Sequence, residues 1–273
     1  HRDGHGLRER DMYDFDFIRP ATIDAAVDAL KDEDAQALGG GQTLIPTMKQ
    51  RLAAPSVLVS LTGIPEMQGV CRDGDTLSIG GATPHAVVAR EAAAHFPGLA
   101  ALAGQIGDMA VRNRGTLGGS LANNDPSACY TAAALGTGAT IRTNAREIAA
   151  DDYFQGMFDT ALDEGEIIVS VDFPIAQSSA YAKFAQPASR FALVGAFVAR
   201  YADGVRVAIT GASDEGVYRW AEAEAALTQD FDPAAIDGLT VDADGMIGDV
   251  HGAPDYRAHL VGVMTRRAVA SSI

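Results

Sequence analysis

An α+β architecture in two parts is what this sequence predicts, with an α/β region over residues 12–176 and a smaller α+β region over residues 177–273. Three observations carry that reading. Between Met12 and Pro174, short runs of strand character alternate with runs whose apolar residues recur at helical spacing. Beyond residue 177, three strand-like runs follow one another, two of them joined at Asp203-Gly204, a strong hairpin signal. Finally, 273 residues with 47% hydrophobic content can enclose more than one core.

Residues 1–11, HRDGHGLRERD, are polar and aperiodic and read as an extension or a cloning remnant, so His1 and His5 are expected at a mobile chain end and not on a metal. YDFDFIRP is extended by its alternation and by Pro20. Thr22 then caps a helix in which Ile23, Ala26, Val27 and Leu30 recur at helical spacing. QAL, residues 36–38, leads into three consecutive glycines, and LIPTMKQRL forms a short helix that stops near Pro55. VLVSL (57–61) and TLSIGGAT (76–83) are strands. Thr83 followed by Pro84 reads as the N-cap and first turn of a helix reaching about His95, and LAALAGQIG (99–107) as a second helix. Little helical pattern is visible over VRNRGTLGGSLANNDPSACY (111–130). ATIRT (139–143) is the next strand, and EIIVSVDFP (166–174) closes the first region. QSSA (177–180) reads as a linker. AYAKF, ALVGAFVARY and GVRVAITGA are strand-like, an alanine-rich helix spans the region of Trp220 to Leu227, and DYRAHLVGVMTRRAVA (255–270) is a final helix.

Charge and composition narrow the function. Thirty-six acidic against 21 basic residues give a net charge of -15, a field that repels nucleic acid and anionic membranes. Any anionic ligand must then be held by local donors. No apolar stretch approaches the ~20 residues of a membrane span, no charged-then-apolar leader opens the chain, and the expected address is cytoplasmic, without integral membrane contact. The two cysteines, Cys71 and Cys129, are far apart and outside any C-x-x-C, which argues against an iron–sulfur or structural zinc site and against a disulfide framework in this chain.

Glycine clusters in two turns. Gly39-Gly40-Gly41-Gln42-Thr43 precedes a helix, and Thr116-Leu117-Gly118-Gly119-Ser120 follows Arg112 and Arg114. Consecutive glycines allow positive φ and close approach to the main chain, so several N–H groups can converge on one anion. Two such turns with a helix N-terminus suit a diphosphate without lysines; the alternative is two tight structural turns. Standard nucleotide motifs do not fit. A dinucleotide fingerprint starting at Gly39 needs glycine at position 44, where Leu44 stands, and no acidic residue is clearly placed for a ribose. G-x-x-x-x-G-K-[ST], H-E-x-x-H and G-x-S-x-G are absent too, so kinase, NTPase and classical nicotinamide dehydrogenase readings lose ground. His85 and His95 lie ten residues apart on different turns of one expected helix, which favours surface or cap positions.

In order and separation, GGGQTLIPTMKQRLAAP and VRNRGTLGGSLANNDP resemble the FAD-binding medium subunit of molybdenum hydroxylases, the xanthine dehydrogenase family, and in particular that of aerobic carbon monoxide dehydrogenase. The likeness covers nearly everything from Met12 onward, through FDFIRPATIDAAVDAL, DYFQGMFDTALDEGEIIVSVDFP, AYAKFAQPASRFALVG and YRAHLVGVMTRRAV. It implies a vanillyl-alcohol-oxidase-type FAD-binding domain of two α/β subdomains over residues 12–176, followed by a C-terminal α+β domain of the carbon monoxide dehydrogenase flavoprotein type over residues 177–273.

The resemblance also implies site residues. Ala37, Leu38, Gly39, Gly40, Gly41, Gln42, Thr43 and Leu44, with Thr116, Leu117, Gly118, Gly119 and Ser120, correspond to the clasp on the FAD diphosphate. Gly107 matches a position beside the cofactor, Ile168 an apolar contact to its adenine or ribose end, and Lys183 a basic position near the flavin. At position 129 this chain departs from the family. Many relatives have an aspartate there that hydrogen-bonds FAD, whereas Cys129 offers a weak donor and no charge, so that hydrogen bond is either missing or made instead by Asp125 or Asn123. The first turn reads G-Q-T where relatives often have G-[HT]-[SD], and still supplies amide and hydroxyl groups.

A role in electron transfer follows from the same resemblance. Substrate would be oxidised at a molybdenum cofactor on a large partner subunit, electrons would cross two [2Fe-2S] clusters on a small one, and FAD on this chain would pass them to an external acceptor, in a dimer of heterotrimers. No catalytic residue and no metal ligand is implied on this chain. A self-contained FAD oxidase or dehydrogenase, and a degenerate assembly scaffold, are the competing readings.

Overall fold

The computed structural model describes residues 12–272. The expectation of an extension at residues 1–11, with His1 and His5, lies outside the described residues.

A small parallel sheet opens the chain. It consists of β1 (Asp16–Ile18), β2 (Ala35–Leu38) and β3 (Val57–Ser60) in the order β1-β3-β2, with helix α1 (Ile23–Ala29) between the first two strands and α2 (Leu44–Lys49) between the last two. Thr22 caps α1 as expected, its Oγ1 accepting from the Ala25 N–H at 3.2 Å and satisfying a donor that the helix cannot. Ala26 and Leu30 bury the apolar face of α1 with Val59, Ile64 and Met67. Residues 39–43 therefore leave from the C-terminal end of a parallel strand, where open α/β sheets leave a crevice for ligands.

An antiparallel sheet follows. Strands β4 (Val70–Asp73) and β5 (Thr76–Gly80) lead into five helices: α3 (His85–Glu91), α4 (Pro97–Gly104), α5 (Met109–Arg114), α6 (Leu117–Asn123) and α7 (Cys129–Thr137). The chain returns through β6 (Thr140–Thr143), β7 (Glu147–Ala149), the single turn α8 (Ala150–Tyr153), the two-stranded ribbon β8 (Phe154–Gly156) and β9 (Asp159–Thr160), and β10 (Ile168–Pro174). β10 is central, in the order β4-β5-β10-β6-β7.

The helices depart most from expectation at the two ends of α3 and over residues 111–130. Thr83 does not cap α3; its Oγ1 accepts from the Gly69 N–H at 2.9 Å, Pro84 takes the cap position with extended backbone, and the helix ends at Glu91 instead of near His95. Residues 111–130, which show little helical pattern, hold most of α5, all of α6 and the start of α7. The first two are short, and α6 contains Gly118 and Gly119, poor helix formers. All nine residues of α7 are buried, so it has no polar face to create a period.

A second antiparallel sheet runs through β11 (Ser178–Ala185), β12 (Ala192–Tyr201), β13 (Gly204–Thr210) and β14 (Tyr218–Arg219) in that order. QSSA is not a linker: Ser178 and Ser179 pair with Arg200 and Ala199, and Ser179 is buried against Gly98 of α4. The expected hairpin is present, with Tyr201 opposite Gly204. Helices α9 (Ala221–Gln229) and α10 (Pro254–Ala270) cover one face through Leu227, Val261 and Met264. On the other face Tyr181, Phe197 and Ala208 join the cluster that holds Leu99 of α4 and Tyr130 of α7. Helix α7 is thus enclosed between two sheets, which accounts for its uniform burial.

Candidate cofactor site

A cleft of about 670 Å³ opens where the β2–α2 turn, the start of α6, the start of α7 and strand β11 meet. Its size lies within the roughly 300–1,000 Å³ usual for small-molecule and cofactor sites. Every residue that the sequence places at the cofactor lines this cleft except one. Leu117 is fully buried in the core, and its N–H donates to the Thr83 carbonyl at 3.2 Å, so it supports the wall from behind.

The two glycine turns touch each other. At Gly40 a Cβ would overlap the carbonyl of Arg114, and at Gly118 it would stand 2.7 Å from the carbonyl oxygen of Gly81. Missing side chains at these positions therefore serve backbone-to-backbone contact, which pins the first turn to the segment before α6 and α6 to the exit of β5. Thr116 completes the joint, its Oγ1 accepting from the Gly119 N–H at 3.1 Å to cap α6.

Donor supply is unequal between the turns. The N–H groups of Leu117, Gly118 and Gly119 are already bonded to Thr83, Gly81 and Thr116. By contrast, the N–H groups of residues 39–43 find no acceptor among the described residues. Unpaired main-chain donors are rare in folded proteins unless water or a ligand takes them. A run of them on a cleft wall is a nest for anionic oxygens. Because α2 has only six residues, the turn's own amides, not a helix dipole, are the donors on offer. The side chains of Ser120, Asn123 and Asp125 add polar groups along the same wall, Asp125 already accepting from the Ser127 N–H at 2.8 Å.

Opposite lies a cationic and apolar wall. Lys183 of β11 donates through Nζ to the carbonyls of Gln105 and Arg190, both at 2.7 Å, and comes within 3.6 Å of Cys129 Sγ. Gly107 lines the cleft with φ of 51°, in a loop held by Arg112, whose Nη1 donates to the carbonyls of Ile106 and Gly107 at 3.1 and 2.9 Å. Neither Arg112 nor Arg114 lines the cleft. Ile168, at the start of β10, is buried and supplies apolar surface.

His85 corrects the sequence reading, which puts it on the surface or at a cap. It is buried, lines the cleft, and packs its ring against Tyr130 with centroids 5.2 Å apart. Burial, helped by the nearby positive charge of Arg112, lowers its pKa to about 4, so the imidazole is neutral near pH 7. A signal for this is present in the sequence: His85, Val88 and Ala92 fall at i, i+3 and i+7, one face of a helix, and all three are buried. Other wall residues also escape sequence reasoning, Phe158 and Glu166 among them. Phe158 is exposed, with φ of 57° at the tip of the β8–β9 ribbon, and Glu166 is ion-paired to Arg146 at 3.0 Å. Among the described residues, no group of three or more His, Cys, Asp and Glu side chains is arranged to hold a metal ion, and no helix is long and apolar enough to cross a membrane.

A cleft with a nest of free amides on one wall and apolar and cationic groups on the other suits an anionic organic ligand. Residues 13–176 match the family described as the FAD binding domain in molybdopterin dehydrogenase, and the chain belongs to that family. It is thereby a flavoprotein component of an oxidoreductase. The chain is 33% identical over 273 aligned residues to the nicotine 6-hydroxylase medium subunit of Paenarthrobacter nicotinovorans, covering 94% of this chain and 96% of that one. It is 32% identical to the carbon monoxide dehydrogenase medium chain of Afipia carboxidovorans, covering 93% and 95%. Its fold superposes on carbon monoxide dehydrogenase from Hydrogenophaga pseudoflava with a TM-score of 0.85 at 30% identity, over 96% of this chain and 98% of that one.

Proposed function

We propose that this chain is the FAD-carrying medium subunit of a heteromeric molybdenum hydroxylase. The observation that carries the reading is the row of free amides at residues 39–43, pinned by the second turn, in a chain that matches whole medium subunits almost end to end. In this reading those amides, with Ser120, hold the FAD diphosphate, Gly107 lies beside the cofactor, and Ile168 packs on its adenine or ribose end. Lys183 places a positive charge near the flavin, and Asn123, Asp125 and Cys129 complete the wall. FAD, when bound, supplies the ability to accept and release electrons. The protein's part is to bind and orient it, and to exclude water with Ile168 and its neighbours.

Electrons would reach this chain from [2Fe-2S] clusters on a small partner subunit, after substrate oxidation at a molybdenum cofactor on a large one, and leave to an external acceptor. A cytoplasmic dimer of heterotrimers is the corresponding assembly. The relatives' names include nicotine and carbon monoxide, chemically unlike donors attached to similar medium subunits. That pairing supports a substrate choice made on the large partner. Native purification through a tag on this chain tests the reading. Two co-purifying subunits, about one FAD, about four irons and about one molybdenum per chain are expected. Metal-free material that oxidises an organic donor alone would overturn it in favour of a self-contained flavin enzyme.

A further inference from the structure

His85 is a polar side chain with no partner in a place where polar side chains need one. It is 4% exposed, its Nδ1 is sealed from solvent without a hydrogen bond, and no hydrogen bond from Nε2 is formed among the described residues. Buried polar atoms are almost always satisfied, so an imidazole with no hydrogen bond at either nitrogen calls for an explanation. Nε2 is not sealed; it lies beside Gly115, where a Cβ would come within 2.6 Å of it, and the histidine lines the cleft. Gly115 immediately precedes the second glycine turn, so the ring edge stands next to the segment that pins the first.

The ring has little freedom. The main-chain N–H of His85 donates to the Gly115 carbonyl at 3.0 Å, and the ring face packs on Tyr130 at an interplanar angle of 53°. A neutral imidazole carries one donor and one acceptor nitrogen. A buried acceptor without a partner is tolerated better than a buried N–H without one. The sealed Nδ1 is then the lone-pair nitrogen, and Nε2 carries the hydrogen.

From this geometry we infer that His85 is a further FAD-binding residue, donating from Nε2 to an acceptor atom of the cofactor. The inference rests on the reading of the cleft as the FAD site, and adds a fixed neutral donor to the amides of residues 39–43. Such a donor orients an acceptor without adding charge to a cleft that already carries Lys183.

Titration of the purified chain with FAD, followed by quenching of flavin fluorescence, tests it with two variants. His85→Leu removes the donor and should raise the FAD dissociation constant roughly 10-fold or more. His85→Gln, whose Nε2 reaches a similar point, should stay within about threefold of wild type. The thermal midpoint without FAD should be no lower for His85→Leu than for His85→Gln, because the apolar side chain removes an orphan. Equal FAD affinity for wild type and both variants would overturn the inference while leaving the cleft assignment intact. Equal loss in both variants would mark His85 as a packing residue, overturning it too. Failure of wild type to bind FAD would instead reject the cleft assignment.

Discussion

Lys183 Nζ lies 3.6 Å from Cys129 Sγ and is fixed there by two carbonyls, those of Gln105 and Arg190. An ammonium group held at this point suits a carboxylate better than a thiol, and position 129 is where the family resemblance places an aspartate. Cys129→Asp should therefore pair with Lys183 and supply a stronger acceptor at the cleft wall. Expected is an FAD dissociation constant lower by about fivefold, on the order of 1 kcal/mol, in a fluorescence titration. Weaker binding by a stably folded variant would mean that the thiol is matched to its surroundings.

Gly40 is the tightest point between the two turns, since a Cβ there overlaps the Arg114 carbonyl. Gly40→Ala has to push the turns apart, at a cost of about 1–3 kcal/mol. The amides of residues 39–43 then lose their common aim. Flavin content after desalting should fall well below that of wild type, while far-ultraviolet circular dichroism shows the fold retained at low temperature.

Much of this site is legible in the sequence. Both glycine turns announce themselves by composition, and strands such as VLVSL by β-branched residues. What composition hides is how the glycines are used. Gly40 and Gly118 admit neighbouring backbone, and the amides of Leu117, Gly118 and Gly119 are taken while those of residues 39–43 stay free. Helix α7 is illegible because enclosure between two sheets removes the polar face on which a periodic pattern depends. Thr83 misleads because its hydroxyl serves the Gly69 loop, an interaction fourteen residues away that local cap rules do not see. His85 is missed when its separation from His95 is weighed and its alignment with Val88 and Ala92 is not.

Acid stability should report on Glu166. Its carboxylate accepts from Arg146 Nε and Nη2, Thr143 Oγ1 and the Asp163 N–H. Arg146 above all holds its pKa down to about 2, from an ordinary 4.5. The unfolded chain thus binds this proton more readily than the folded one. Stability from the group is complete above pH 4.5 and is lost as pH falls toward 2. Thermal melts between pH 5.5 and 3 should show a decline that is shallower in Glu166→Gln than in wild type, by a few degrees at most because the partner Arg146 is solvent-accessible.

Arg257 anchors α10 to the β11–β14 sheet. Its buried guanidinium donates to the carbonyls of Leu193 and Gly211 and to Asp249, each at 2.8 Å. Arg257→Met keeps the length but leaves two buried carbonyls unpaired, a loss of about 2–4 kcal/mol. A thermal midpoint lower by about 5–10 °C is expected, with FAD affinity unchanged below the transition. An unchanged midpoint would mean that water replaces the guanidinium at no cost.

The most direct measurement is the visible absorbance spectrum of the natively purified chain, before and after incubation with FAD and desalting, on wild type and Gly40→Ala side by side. Flavin bands retained at about one FAD per wild-type chain, and lost in the variant, are predicted by a clasp built from the free amides of the first turn. A wild-type protein that stays colourless after loading, or a variant that retains FAD as well as wild type does, would contradict it.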